Sequence, residues 1–278
     1  MNASNRKRYT LAGDDQDVFD DRDDAKGDCV FCGNWRTNAS NERAHSANCP
    51  LRASVPICAE HLPEVPGTVR GIDVSHHNVV TDWIGVKESG VEVAFIRATH
   101  GSRHDRAFAS HVAGAQEAGV LIGCYHYFEN ADVYKGAPGA IAQAHEFEDV
   151  LRSVGLIGPN GANAPMLPPV LDAEEGSIVP ADMLIWLSQV EYATKLTPWL
   201  YTCPHWWDAH VGNDDRFGFH PLWVADWTPP MDVPLPWRDA IVWQQTNVGR
   251  VPGVVGNVDI NAFVGSLETL RWMARVAS

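Results

Sequence analysis

The stretch best equipped for chemistry is Pro168-Pro169-Val170-Leu171-Asp172-Ala173-Glu174-Glu175, an apolar run that ends in three carboxylates. Strand-forming residues that stop at acids describe a buried strand delivering charge to its carboxyl end. Side chains at i and i+2 of a strand share a face, so Asp172 and Glu174 point one way and Glu175 the other. Two acids on one face disfavour each other's ionised form, and one of them titrates higher. A protonated carboxyl beside an ionised one is the pair that glycoside hydrolysis uses. Taken alone, the pattern also describes a strand end capped by solvated acids.

The elements that would position this pair follow from the alternation of apolar runs. Eight strands are expected at 71–75, 93–98, 120–127, 170–174, 199–202, 222–225, 241–245 and 258–260. Between them, Phe108–Ala118 carries His111, Val112 and Ala115 along one face. Ile141, Ala144, Phe147, Val150, Leu151 and Val154 repeat with helical period, and Met183–Leu196 follows Pro180 as a start signal. After Tyr201 the connections are too short and too rich in Pro, Trp and Gly for full helices, and Phe263–Ala277 closes the chain as a last helix. Strand–helix alternation over roughly 200 residues predicts a parallel α/β fold. Polar or aromatic residues fall at or near one end of nearly every strand: Asp73, His100, Tyr125, Tyr127, Asp172, Glu174, Tyr201, Asp226, Gln244, Gln245 and Asp259. That distribution favours an irregular, TIM-like β/α barrel with its site at the strand carboxyl ends over a doubly wound sheet with one switch point.

The chain has 278 residues and 45% hydrophobic content, enough for one barrel and a small appendage. It contains no run of eighteen apolar residues, so no membrane insertion is expected. Met1–Arg8 is polar with no apolar stretch behind it, which predicts no secretory signal and a cytoplasmic location until release. The net charge is −14, with an aspartate cluster between Asp14 and Asp28. A phosphate-tracking surface needs clustered Lys and Arg, so no nucleic-acid partner is expected, and residues 1–27 read as a solvated acidic arm.

Four of the six cysteines precede residue 60. Without a secretory signal they suit metal better than disulfides. Cys29-x-x-Cys32 and Cys58-x-x-His61 form two knuckles whose Cys₃His set is typical of structural zinc within residues 28–62. A competing set, Cys29, Cys32, His45 and Cys49, has finger-like spacing, but Arg36 and Glu42 occupy its expected apolar positions. Four protein ligands leave no open position, so no cofactor is expected in catalysis. Residues 63–70 read as a linker and 71–278 as the barrel; Cys124 and Cys203 read as buried free thiols.

The ordered set Gly71-Ile72-Asp73-Val74-Ser75-His76-His77-Asn78, Phe95–Gly101, Gly123–Phe128, Leu171–Glu174, Leu200–Thr202, Leu222–Ala225, Val242–Gln244 and Val258-Asp259-Ile260-Asn261 resembles glycoside hydrolase family 25, the Chalaropsis-type muramidases. The resemblance implies a flattened β/α barrel with shortened later helices. It also implies hydrolysis of the β-1,4 bond between N-acetylmuramic acid and N-acetylglucosamine in bacterial peptidoglycan. Carried over by motif, Glu174 is the proton donor, Asp172 its partner, and Asp73 and Asp259 the other carboxylates. This sequence departs from the family pattern at His100, where a glutamate is usual, and at Arg97, where lysine is frequent.

Asp172 would orient the muramic 2-acetamido group as internal nucleophile, a substrate-assisted route; an inverting route with Asp73 or Asp259 as base stays open. Tyr125, Tyr127, Trp223 and Trp227 are candidate sugar platforms, each equally at home in a core. Tyr201, Asp226 and Gln244 complete the substrate-binding set, with Asp226 equally readable as a solvated loop acid. A wall-degrading barrel with a small zinc unit and no signal peptide looks like a bacteriophage endolysin. Two other readings compete. A zinc-dependent wall amidase or peptidase is one, but His145-Glu146-Phe147-Glu148-Asp149 lacks the second histidine of H-E-x-x-H, and His76-His77 on a strand would face opposite ways. A catalytically inactive wall-binding protein is the other, and the complete acid set argues against it.

Overall fold

The computed structural model describes residues 67–129, 137–176, 178–228 and 231–275, with the backbone of Arg8–Tyr9, Trp35–Thr37 and Arg43–His45. Eight strands close into a barrel: β1 (Thr68–Val74), β2 (Val93–His100), β3 (Leu121–Tyr127), β4 (Val170–Asp172), β5 (Trp199–Thr202), β6 (Leu222–Ala225), β7 (Val242–Gly249) and β8 (Val258–Val264). Each strand pairs with the next, and β8 returns to β1. Pairing is parallel from β1 to β7.

The last strand departs from the expected parallel fold. β8 runs antiparallel to both neighbours. Only residues 250–257 separate it from β7. A parallel return needs a crossover of a dozen or more residues, so a connection this short permits only the reversed direction. β7 also extends past Gln245 to Gly249 through register shifts, which leaves Gln244 and Gln245 within the strand rather than at its end.

Among the described residues, six α-helices flank the barrel: α1 (Trp83–Glu88), α2 (Phe108–Glu117), α3 (Ala137–Ser153), α4 (Pro180–Thr194), α5 (Pro204–His210) and α6 (Leu267–Met273). α1, which hydrophobic periodicity did not mark, starts where Asp82 accepts a hydrogen bond from Gly85 N at 2.9 Å. The expected face of α2 is buried, but Ile141 on α3 is exposed; Gln143 and Glu148 are buried in that helix instead. The closing helix is shorter than expected because Phe263 belongs to β8. β1 begins at Thr68, inside the stretch read as linker.

Strand alternation divides the core in two. Val93, Phe95, Tyr125, Val170, Trp199, Tyr201, Trp223, Val242 and Phe263 pack inside the barrel. Ile72, Val74, Ala94, Ile96, Ile122, Leu171, Leu200, Val224 and Ile260 face the helices. Gly123 makes room for the first layer: a Cβ there would lie 2.5 Å from the Phe95 ring. Arg8–Tyr9 pairs antiparallel with Met231–Asp232, and Trp35–Thr37 with Arg43–His45.

Candidate active site

The interior alternation that buries Phe95, Tyr125, Trp199 and Trp223 carries the next inward positions to the end of the barrel where the parallel strands finish. Asp73 follows Gly71 on β1, Arg97 follows Phe95 on β2, and Asp172 follows Val170 on β4. β4 stops at Asp172, so Glu174 lies just beyond the strand. The period-two direction persists, and both acids line one cleft of about 450 Å³. Asp73, Tyr125, Tyr127, Tyr201, Trp223, Trp227, Gln244 and Asp259 line it too.

The four carboxyl groups sit in different environments. Burial pushes Glu174 up to about 7, a hydrogen bond from the Tyr201 hydroxyl works against the rise, and nearby Asp73 and Glu175 add to it. Asp172 is raised well above the usual carboxylate range by burial, then by the charges of Glu174 and Asp73. Its Oδ1 is buried and meets no hydrogen-bond partner among the described residues. Burial also raises Asp73, opposed by hydrogen bonds from Asn261, Gln244 and Asp259. Asp259 goes to about 8 through burial, the charge of Asp73 and the proton it holds toward Asp73. The arrangement therefore has one acid poised near neutrality, one carboxyl oxygen awaiting a donor, and two aspartates sharing a proton.

Tryptophan and tyrosine donors orient the amides that hold Asp73. Trp223 Nε1 donates to Asn261 Oδ1 at 2.9 Å. Trp227 Nε1 donates to Gln244 Oε1 at 2.9 Å, and the Tyr201 hydroxyl, whose one proton is shared between Glu174 and Gln244, lies 3.2 Å from the same oxygen. With both carbonyl oxygens engaged, the two amide nitrogens turn to one atom. Gln244 Nε2 and Asn261 Nδ2 donate to Asp73 Oδ2 at 2.9 and 2.8 Å. Asn261 follows Asp259 at i+2, so the alternation that pairs Asp172 with Glu174 also points Asn261 inward. Asn261 ends the Val258-Asp259-Ile260-Asn261 motif, and its residue type alone gives it no evident role. Arg97, His77, Asn78, Asn247 and Asn257 are further lining residues outside the expected set.

Two expected substrate contacts change role. Trp223 is 2% exposed, too enclosed for a sugar platform, and its ring packs 4.4 Å from Phe95. Asp226 does not line the cleft. It accepts from Thr228 N and Oγ1 at 3.1 Å and from Asp232 N at 2.9 Å, closing the loop after β6. Trp227, half exposed and anchored by its ring nitrogen, has the surface that Trp223 lacks. The Tyr127 hydroxyl donates to Glu175, and the Tyr127 ring lies 4.3 Å from His100.

His76 and His77 occupy the turn after β1 rather than a strand, and their rings lie 4.0 Å apart. Cys124 is a buried free thiol as expected, but Cys203 is only partly buried. The expected zinc ligands Cys29, Cys32, Cys58 and His61 lie outside the described residues. Among the described residues, no group of three or more His, Cys, Asp or Glu could hold a metal ion, and no helix is long and apolar enough to cross a membrane.

Known proteins share this fold. Lysozyme M1 of Streptomyces globisporus is 32% identical over 220 residues, covering 74% of this chain and 71% of that protein. The N,O-diacetylmuramidase of Chalaropsis is 28% identical over 222 residues, 74% of this chain and 99% of its own. Among solved structures, a bacterial lysozyme from Streptomyces coelicolor superposes with a TM-score of 0.65 at 29% identity, covering 77% of this chain and all of that one. Residues 72–254 match the profile of the family described as Glycosyl hydrolases family 25, and the chain belongs to that family.

Proposed function

We propose that the chain is a muramidase that cuts the β-1,4 bond between N-acetylmuramic acid and N-acetylglucosamine of bacterial peptidoglycan. Glu174 acts as general acid and Asp172 as the anchor of the substrate's own nucleophile. One observation carries this reading: two carboxyl groups on one wall of the cleft, Glu174 at about 7 and Asp172 with a buried, unpartnered Oδ1. Relatives named as lysozymes and muramidases support it.

Glu174 donates its proton to the glycosidic oxygen as the C1–O bond breaks. Asp172 Oδ1 accepts the acetamido N–H, so the acetamido oxygen approaches C1 and forms the new bond there. Water then opens this cyclic intermediate, giving its proton to Glu174 and leaving configuration at C1 retained. Asp73 is poorly suited to act as a water-activating base. Its Oδ2 already accepts two amide hydrogen bonds, and Asp259 shares its proton with it. Mass spectrometry of muropeptides after digestion tests the bond cut. Reducing-end N-acetylmuramic acid is expected, and reducing N-acetylglucosamine would overturn the assignment.

Residues 28–62 are proposed to hold a structural zinc through Cys29, Cys32, Cys58 and His61. The backbone ladder between Trp35–Thr37 and Arg43–His45 falls between the first two cysteines and Cys49, consistent with a compact unit. Stoichiometric zinc in the purified chain, lost in Cys29→Ser, is the expected result. The pairing of such a unit with a wall-cutting barrel supports a phage endolysin that is held in the cytoplasm until the membrane is opened. Expression in bacteria should then lyse cells only after membrane permeabilisation.

A further inference from the structure

The backbone holds Tyr201 and Glu174 side by side. β4 stops at Asp172, yet the chain stays pinned to β5 for one residue more. Ala173 N donates to Tyr201 O at 2.9 Å, and Ala173 O accepts from Thr202 Oγ1 at 2.7 Å. In the parallel ladder Asp172 stands opposite Tyr201. The Tyr201 ring is buried inside the barrel, its centroid 4.7 Å from that of Trp223 in an edge-on contact, and it shares the cleft wall with Glu174. Neighbouring donors are committed elsewhere. The Tyr127 hydroxyl goes to Glu175, and the side-chain amides of Gln244 and Asn261 go to Asp73.

The Tyr201 hydroxyl has one proton and two acceptors, the Glu174 carboxyl and Gln244 Oε1. Its contact with Gln244 is 3.2 Å, long beside the roughly 2.7–2.8 Å usual for O–H···O. The amide oxygen does not depend on it, because Trp227 Nε1 donates to the same atom at 2.9 Å. Gln244 therefore stays fixed, with Nε2 on Asp73, whichever way the tyrosine proton points. The other acceptor changes during the reaction. A protonated carboxyl is a neutral acceptor, whereas a carboxylate accepts a charge-assisted bond about twice as strong. Burial, then the charges of Glu174 and Asp172, raise the Tyr201 phenol well above its ordinary range, so it keeps its proton and stays a donor.

We propose that Tyr201 is a positioning residue that acts through Glu174 as a hydroxyl switch: its O–H points to Gln244 while Glu174 is protonated and turns to the carboxylate left when that proton goes to the glycosidic oxygen. No covalent bond of Tyr201 breaks. The Glu174 O–H breaks, its proton joins the leaving oxygen, and that oxygen keeps the electron pair of the C1–O bond. When water returns a proton to Glu174, the hydroxyl turns back. The assignment rests on the reading of Glu174 as general acid given above. It moves Tyr201 from the expected substrate-binding set to the support of the acid.

Tyr201→Phe keeps the ring against Trp223 and removes only the hydroxyl. Reducing-end release from soluble, uncrosslinked glycan strands, measured across pH, should show kcat lowered about tenfold and KM within about twofold of the parent. The alkaline fall in kcat should move upward by about one pH unit, because the carboxylate has lost a donor. Asp172 and Glu175 beside Glu174, Asp73 and Asp259 across the cleft, and Tyr127 and Cys203 around it are the same in both chains, so the displacement reports the hydroxyl. Carbon-13 NMR of the Glu174 carboxyl, without substrate, should show the same upward displacement. In the unsubstituted chain the Gln244 side-chain carbonyl signal should move with the Glu174 titration, and that movement should be missing from Glu174→Gln, a readout that does not need Tyr201→Phe. An unmoved Glu174 titration, or a Gln244 signal alike in the unsubstituted chain and Glu174→Gln, overturns the switch. A KM raised about tenfold with an unmoved alkaline limb also overturns it and makes Tyr201 a sugar contact. Mass spectrometry of the products tests the muramidase reading separately: reducing N-acetylglucosamine would overturn that reading and leave the titrations standing.

Discussion

Asp73 and Asp259 stand directly opposite each other in the antiparallel ladder between β1 and β8. Asp259 is the second residue of its strand, Asp73 the sixth of seven. A parallel β8 would have left Asp259 at the far end of the barrel. Reversal of one strand delivers it to the cleft, where burial and the charge of Asp73 push it up to about 8 and it keeps a proton toward its partner.

That relationship predicts an asymmetry. Asp259→Asn retains a donor toward Asp73 and should keep activity within about tenfold of the parent, whereas Asp73→Asn removes the acceptor of two amide hydrogen bonds and should cost about 10²-fold or more. Initial rates of reducing-end release check both. An Asp259→Asn chain as inactive as Glu174→Gln would show that Asp259 must ionise.

Glu174 should leave a signature in pH. As an acid with a value of about 7, it is competent below that pH, and the rate should fall as pH rises through it. Stability follows the same sign. The folded group is raised from 4.5, so the stability it confers is full below pH 4.5 and lost as pH rises through about 7. Glu174→Gln, which has no charge to bury, should match the parent near pH 4 and exceed it by about 3 kcal/mol at pH 8, read from urea denaturation. A variant less stable at pH 8 would contradict the desolvation.

Asp172→Asn should lower kcat by at least about 10²-fold with little change in KM, since the oxygen it alters acts on the reacting acetamido group. Asp172→Asn with near-parental kcat would exclude the anchoring role.

The two cleft tryptophans should separate. Trp227→Ala removes an exposed ring and should raise KM by roughly tenfold with a small change in kcat. Trp223→Phe keeps the buried ring and loses only the donor to Asn261, so its defect should fall on kcat. The reverse pattern in steady-state kinetics would exchange their roles.

His126 offers a test far from the chemistry. It is fully buried, stacked 5.2 Å from Trp186, and bounded by Thr99 Oγ1 at 2.7 Å and Gln143 Oε1 at 3.1 Å. Burial lowers it from 6.5 to about 3. Its contribution is present above pH 6.5 and is lost as pH falls toward 3, because the unfolded chain takes up the proton first. His126→Gln should be less stable at pH 7, and its stability should fall with acid by about 1.4 kcal/mol per pH unit less than the parent between pH 6 and 4. Equal slopes would mean that His126 is protonated in the fold.

What the residues alone determined is periodicity and its consequence. Alternation in Val170–Glu174 placed two acids on one wall, and strand-end polarity in β1, β3 and β5 marked one end of a barrel, because both depend only on local backbone geometry. Partnership depended on tertiary structure. Trp223 and Trp227 are the same residue type four positions apart, yet one is enclosed by Phe95 and Tyr201 while the other stays half exposed. Asp226, by sequence either a sugar contact or a loop acid, lies at its strand's end as Asp172 does, but its own loop supplies three donors and satisfies it. The direction of β8 was implicit in the eight residues before it, yet only the closed ladder set Asp259 against Asp73. Burial, hydrogen-bond supply and the distance between charges are properties of the folded packing, and they decide which acids hold a proton.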